Sequence, residues 1–179
     1  YKGIFTILSS CASRQLEEAT FRRVVIPVQE LLDTAGKYFR KSMKNRTERI
    51  ELEIGTVDAK VIGDLNQLRF LLENLIDEAL AVHEDGLLRL QARQDDEYIR
   101  FLFTDTRREK SLEELNLLFY PNLARMTAGE KGELRGTEYL VCKQIIRDHD
   151  EFAGRRGCRI NAEPAADGGF TVYFTVPRR

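Results

Sequence analysis

Between Asp64 and Val82 the chain reads DLNQLRFLLENLIDEALAV. Its apolar residues Leu65, Leu68, Leu72, Leu75, Ile76, Ala79 and Val82 recur at helical spacing, so the segment has to bury one stripe. Gly63 and Asp64 stand where a preceding strand should stop and a helix N-cap begin. Asn74 and Glu78 are four residues apart and project from one flank, one turn above the other. On pattern alone this is a core helix with a solvated flank. Whether that flank carries chemistry depends on what surrounds it.

The surroundings alternate between short strands and helices. Val24-Val25-Ile26 reads as a strand and Pro27 suits the first turn of a helix whose buried face is Val28, Leu31, Leu32, Ala35, Phe39 and Met43. Arg40, Lys41, Lys44 and Arg46 gather near its end, where the helix dipole favours cations. RIELEI (49–54) and 59–62 are strands, and 87–94 with 98–104 form a hairpin across the polar tip Asp95-Asp96-Glu97. Ser111 caps a short helix that Pro121 stops. Asn122 to Arg135, charged and aperiodic with Gly129 and Gly132, reads as a loop. Residues 136–149 return to helix, and 158–163 with 170–176 close the chain as a second hairpin. The sum is an α+β, two-layer α/β sandwich: a mixed sheet with about three helices on one face. Phe101, Phe103, Phe170, Tyr173 and Phe174 alternate on its strands and read as core.

Residues 1–20 have a loose helical period (Ile4, Leu8, Cys11 or Ala12, Leu16, Ala19) and are expected to be the end of a preceding helical segment, with 21–179 as the main domain. The chain begins at Tyr1, as a piece of something longer would. Charge narrows the partners. Lys and Arg number 28 against 29 Asp and Glu, which gives no basic excess for nucleic acid. No apolar run approaches the roughly 20 residues that span a bilayer, so no membrane contact is expected of this stretch. Cys11, Cys142 and Cys158 are odd in number and widely spaced, arguing for a reducing, cytoplasmic setting and against a zinc or disulfide framework.

The order of elements gives the segment 64–82 a further meaning. D-L-N-Q-L-R-F-L-L-E-N-L-I-D-E-A resembles the asparagine box of sensor histidine kinases, whose ATP-binding domain shares the Bergerat fold with gyrase-type topoisomerases and heat-shock chaperones. Tyr98 to Asp105 resembles the strand ending in the aspartate of the first glycine box. Leu115 to Pro121 resembles the phenylalanine box. Gly136 to His149 resembles the helix opened by the second glycine box, and Gly169 to Pro177 the last strand. The resemblance runs from about Phe21 to Pro177 and implies a nucleotide site at Asn74, Glu78, Asp105, Gly136 and Glu138.

This chain departs from the family pattern at those same places. The second asparagine, which holds Mg²⁺ in the family, is Glu78 here; its carboxylate is a hard-oxygen ligand but adds negative charge beside a triphosphate. The family's D-x-G-x-G is Asp105-Thr106-Arg107-Arg108-Glu109, so side chains replace glycines, and a left-handed backbone there would cost about 1 kcal/mol or more. In the family's G-x-G-x-G, which offers bare N–H groups to phosphate, this chain has Leu134, Gly136 and Glu138. Glu138 at about 4 Å from a phosphate would be repelled by ~1 kcal/mol in water-like surroundings and ~4 at an effective dielectric of 20. Arg107, Arg108 and Arg135 offer compensating positive charge or are plain surface residues.

The resemblance therefore implies a vestigial site with no catalytic residue and no expected cofactor; ATP and Mg²⁺, the metal on Glu78, are expected only if it is still functional. The implied role is a regulatory or dimerisation module of a bacterial two-component-type signalling protein. It would be a homodimer through residues 1–20 or sequence before them, with a signalling protein as a further partner. The rival readings are an atypical but active ATP-dependent protein kinase and an anti-sigma-like partner-switching domain. No histidine precedes His83, so a phosphoacceptor helix is absent from this stretch, and His149 falls on a structural position of the resembled fold.

Overall fold

The structure, a computed structural model, describes residues 21–121 and 138–179, together with the backbone of 127–128 and 134–135; at 138, too, only the backbone is described. In chain order the elements are β1 (Val24–Pro27), α1 (Val28–Ser42), β2 (Ile50–Ile54), β3 (Lys60–Gly63), α2 (Leu65–Leu80), β4 (Gly86–Asp95) and β5 (Tyr98–Asp105). There follow α3 (Leu112–Leu117), β6 (Thr127–Ala128), β7 (Leu134–Arg135), α4 (Glu138–Phe152), β8 (Ile160–Pro164) and β9 (Phe170–Pro177). The main sheet has five strands in the order β2-β4-β5-β9-β8; β2 runs parallel to β4 and every other pairing is antiparallel. β1 and β3 make a separate antiparallel pair, joined to the end of β9 by a bridge between Val61 and Arg178.

The expected mixed sheet and helical layer are therefore present, with four helices among the described residues once the short α3 is counted. α2 packs against both α1 and α4. Its Leu68, Leu71, Leu72, Leu75 and Ile76 are buried in one core with Leu88, Leu90, Phe101 and Phe174 of the sheet. Each such side chain contributes roughly 1.5–3 kcal/mol on leaving water. Phe101 and Phe174 face each other across β5 and β9 with stacked rings 4.7 Å apart.

Several local expectations shift. Pro27 is the N-cap of α1 rather than its first-turn residue, because its backbone is extended at ψ 127°. Leu65 and Val82 lie half-buried at the helix ends, while Leu71 joins the buried stripe. Tyr173 is off the core: on β9 it alternates with Val172 and Phe174, and it lies half-buried beneath the Arg100 guanidinium at 4.5 Å. Within the expected loop, β6 and β7 pair antiparallel over two residues. The helix expected in 1–20 lies outside the described residues.

Alternation along β5 sets the position that matters most. Ile99, Phe101 and Phe103 point into the core, so by period two Asp105 points to the same helix-covered face at the end of the strand. A carboxylate there is buried and must find partners.

The Asp105 pocket and the two ends of the central helix

α2 is flanked by its caps Asp64 and Ala81, and each end is held by a residue from a distant part of the chain. At the N-terminus the Asp64 carboxylate accepts the backbone N–H of Gln67 at 3.1 Å, the N-cap bond the sequence anticipates, and the N–H of Arg22 at 3.0 Å. The Asp64 N–H donates to Nε2 of His149 at 3.1 Å, and His149 in turn donates Nδ1–H to the carbonyl of Ile145 at 2.8 Å. This ring is fully buried, and desolvation pulls its pKa down to about 4, so it stays the neutral tautomer the two bonds require. Gly63 lets the strand end approach the ring: a Cβ there would come within 2.9 Å of His149. His149 is structural, as the sequence suggested.

At the opposite end stands Asp105, with Arg107 folded back onto it. Nε donates to Oδ1 at 2.9 Å and one Nη to Oδ2 at 2.9 Å, a bidentate fork. The remaining guanidinium donors reach the carbonyls of Ala79 (2.6 Å), Val82 (3.0 Å) and Glu84 (2.9 Å). A guanidinium has five N–H donors, and all five are used. The pair is sealed, with side-chain exposures of 1% for Arg107 and 7% for Asp105. A cation that caps carbonyls at a helix C-terminus also sits well in the helix dipole. Gly86, at φ +146°, makes room for this side chain; a Cβ there would overlap Cγ of Arg107.

The strain expected at the replaced glycines is absent. Among the described residues Asp96 is the sole non-glycine with positive φ, so Arg107 and Glu109 adopt ordinary backbone conformations. The chain avoids the left-handed turn, and what stands in the pocket is bulk. Nor are Arg107 and Arg108 poised for an external anion. Arg107 is committed internally, and Arg108 pairs with the Glu84 carboxylate at 2.5 Å, holding that carboxyl below its ordinary range. Arg135, Leu134 and Gly136 are not among the residues whose side chains or placement are described.

Of the remaining expected site residues, Asn74 is buried and its amide donates to the carbonyl of Phe70 at 2.7 Å, one turn back on the same helix. Glu78 is half-buried a turn later. Glu138 opens α4, but its side chain lies outside the description. Among the described residues no group of three or more His, Cys, Asp or Glu is placed to hold a metal. Near Asp105, Thr104 and Thr171 share a buried hydroxyl bond at 2.7 Å across β5 and β9. Sequence reading missed this pair, since only the strand register brings it together. His83 is exposed and bonds Glu48. Cys142 is buried against the carbonyl of Leu71, and Cys158 is partly buried with its thiol pushed up to about 12 by burial.

Comparison with known proteins bears on this arrangement. Residues 63–179 match the family described as histidine kinase-, DNA gyrase B-, and HSP90-like ATPase. The signal transduction histidine-protein kinase BaeS of Escherichia coli (strain K12) is 25% identical over 161 residues, covering 88% of this chain and 32% of that protein. The chain thus spans about a third of that relative's length. Among solved structures, the nucleotide-free catalytic domain of histidine kinase ThkA superposes with a TM-score of 0.68 at 19% identity, covering 88% of this chain and 96% of that one. The mycobacterial sensor histidine kinase MprB gives 0.63 at 18%, covering 88% and 99%. ThkA in complex with the response regulator protein TrrA gives 0.65 at 17%, covering 99% and 49%. These likenesses speak for the fold. With the family match extending over well more than half of the chain, and the architecture in agreement, the chain belongs to the histidine kinase-, DNA gyrase B- and HSP90-like ATPase family.

Proposed function

We propose that this is a histidine-kinase-like ATPase domain closed to nucleotide from within, working as a regulatory or dimerisation module of a two-component-type signalling protein. The observation that carries this reading is the Arg107 fork on Asp105. A purine seated on this aspartate needs a free carboxylate oxygen and the volume beside it. Arg107 engages both oxygens and occupies that volume. Releasing it would strip the guanidinium from a buried carboxylate and leave the carbonyls of Val82 and Glu84 without their side-chain donor, at a cost of about 3–5 kcal/mol that a nucleotide would have to supply. The described residues therefore do not fit an adenine nucleotide. Glu78 is the one candidate ligand for Mg²⁺, and only in a site that has been reopened.

In this reading the domain transmits shape. Movement of the preceding segment changes how the domain packs on a second copy or on a signalling partner, and no phosphoryl group passes through this site. The crystal complex of ThkA with a response regulator names the type of partner we propose, and a cytoplasmic location follows from that role.

The test is thermal unfolding with Mg-ATP. A ligand at about 100 times its Kd stabilises by about 2.7 kcal/mol. No shift in Tm is expected for the natural sequence, and a clear upward shift would overturn the proposal. Arg107→Gly is expected to lower the starting Tm and to acquire a nucleotide-dependent rise.

A further inference from the structure

A groove between α1 and α2, on the solvent side of the helical layer, shares no residue with the Asp105 pocket. It measures about 560 Å³ and lies open to solvent. Tyr38 and Phe70, both half-buried, supply its apolar lining, and the Tyr38 hydroxyl donates to the Asp77 carboxylate at 2.6 Å. Lys37 and Lys41 line it from α1 and Arg69 from α2, all three exposed, against the one carboxylate of Glu73.

This positive charge is not neutralised locally. Among the described residues Lys37 and Lys41 form no ion pair, and Arg69 meets Glu73 only at 4.0 Å. Arg89, Arg100, Arg107 and Arg108, by contrast, each hold a carboxylate at 3.3 Å or closer. The helix dipole accounts for Lys41 at most, since Lys37 lies before the last turn of α1. In a chain that is nearly neutral, cations gathered around an apolar lining select an acidic, amphipathic partner. Two features make that partner a helix. Lys37 and Lys41 stand one turn, about 6 Å, apart, which matches carboxylates four residues apart on a facing helix. The walls are helices whose backbone groups already pair internally, so an extended segment would gain no backbone pairing there. A small molecule in so open a groove would stay largely in water, whereas a ligand pocket covers most of its occupant.

We infer that this groove docks an acidic amphipathic helix of a protein partner, with an apolar side chain against Tyr38 and Phe70 and carboxylates on Lys37, Lys41 and Arg69. The inference rests on the proposed regulatory role in needing a protein partner but not on a closed Asp105 pocket, so the Mg-ATP melting test and the binding test below fail independently.

The test titrates the full chain 1–179 against a fluorescein-labelled peptide of about 18 residues, long enough to hold a helix. Leu and Glu recur one turn apart on one face of the peptide, Ala fills the rest, and anisotropy reads binding. Binding is expected, and about tenfold weaker for Lys37→Gln with Lys41→Gln. A similar loss is expected when Gln replaces Glu in the peptide. Lys60→Gln with Arg93→Gln, which removes two exposed cations outside the groove, should leave the affinity unchanged. No binding, or the same loss with both pairs of substitutions, would overturn the inference. Tripolyphosphate held in the groove as tightly as the peptide would also overturn it, in favour of a small-anion site. So would self-association of the chain alone that Lys37→Gln with Lys41→Gln abolishes, which would assign the groove to a second copy.

Discussion

The two ends of α2 are held in opposite ways. At Asp64 a side-chain cap, a buried neutral histidine and the backbone of Arg22 meet in an arrangement that needs no ligand. At Ala81 the helix ends on a charged side chain from just past the end of β5, and the aspartate that receives this arginine falls where the resembled family has its nucleotide-site aspartate. The residues at the first end close the scaffold's own hydrogen bonds. The second obeys the rule that a buried carboxylate be paired. In the reading we propose, a pocket closed to its ligand still has to satisfy its polar walls, and a side chain does so.

The sharpest way to break this comparison is Arg107→Ala. It leaves Asp105 buried with only the backbone N–H of residue 107 as donor and uncaps the carbonyls of Val82 and Glu84, and is expected to cost about 3–5 kcal/mol in denaturant unfolding. A loss below about 1 kcal/mol would mean that water replaces the guanidinium and that the end is not sealed.

Next in size is the pH dependence at the other end. His149 is held near pKa 4 in the fold against 6.5 when free, so the unfolded chain binds the extra proton between those values. Its contribution is complete above about pH 6.5 and is lost as pH falls toward 4, a span of roughly 3 kcal/mol. Urea midpoints measured from pH 7 to 4 should show this slope, and His149→Gln should flatten it. An unchanged slope would place the titration elsewhere.

Gly86→Ala comes third, at about 1–3 kcal/mol, from a β-carbon placed both at a positive φ and against Arg107. The double variant with Arg107→Ala should cost less than the sum of the two. Additivity would show that backbone strain alone accounts for the loss. The smallest effect belongs to Arg108→Ala. Its pair with Glu84 is solvent-exposed, and no change in Tm outside error is expected. A clear drop would make the outer arginine part of the plug.

Much of the fold could be read in advance because it follows from local periodicity. The stripe of α2, the alternation of β5 and β9, the Asp64 cap and the Ser111–Glu114 capping box each depend on residues near in sequence. The loss of glycines at 107 and 109 was equally visible, and it signalled a changed pocket. Its consequence was not visible. Missing glycines point to backbone strain and to a surface cation, whereas Arg107 turns inward to carbonyls more than twenty residues away. Tyr173 departs from its expected place in the core for a related reason. Alternation tells which residues share a face, and only the packed layers tell which face is covered.

Sequence by itself determined the order of elements, the buried stripe of α2 and the absence of glycine at 107 and 109, because each is set by side-chain type and spacing along a few turns or strands. Tertiary structure alone decided what fills the Asp105 pocket. The five acceptors of the Arg107 guanidinium come from the end of β5, the end of α2 and the turn before Gly86, and they converge only when helix and sheet are stacked.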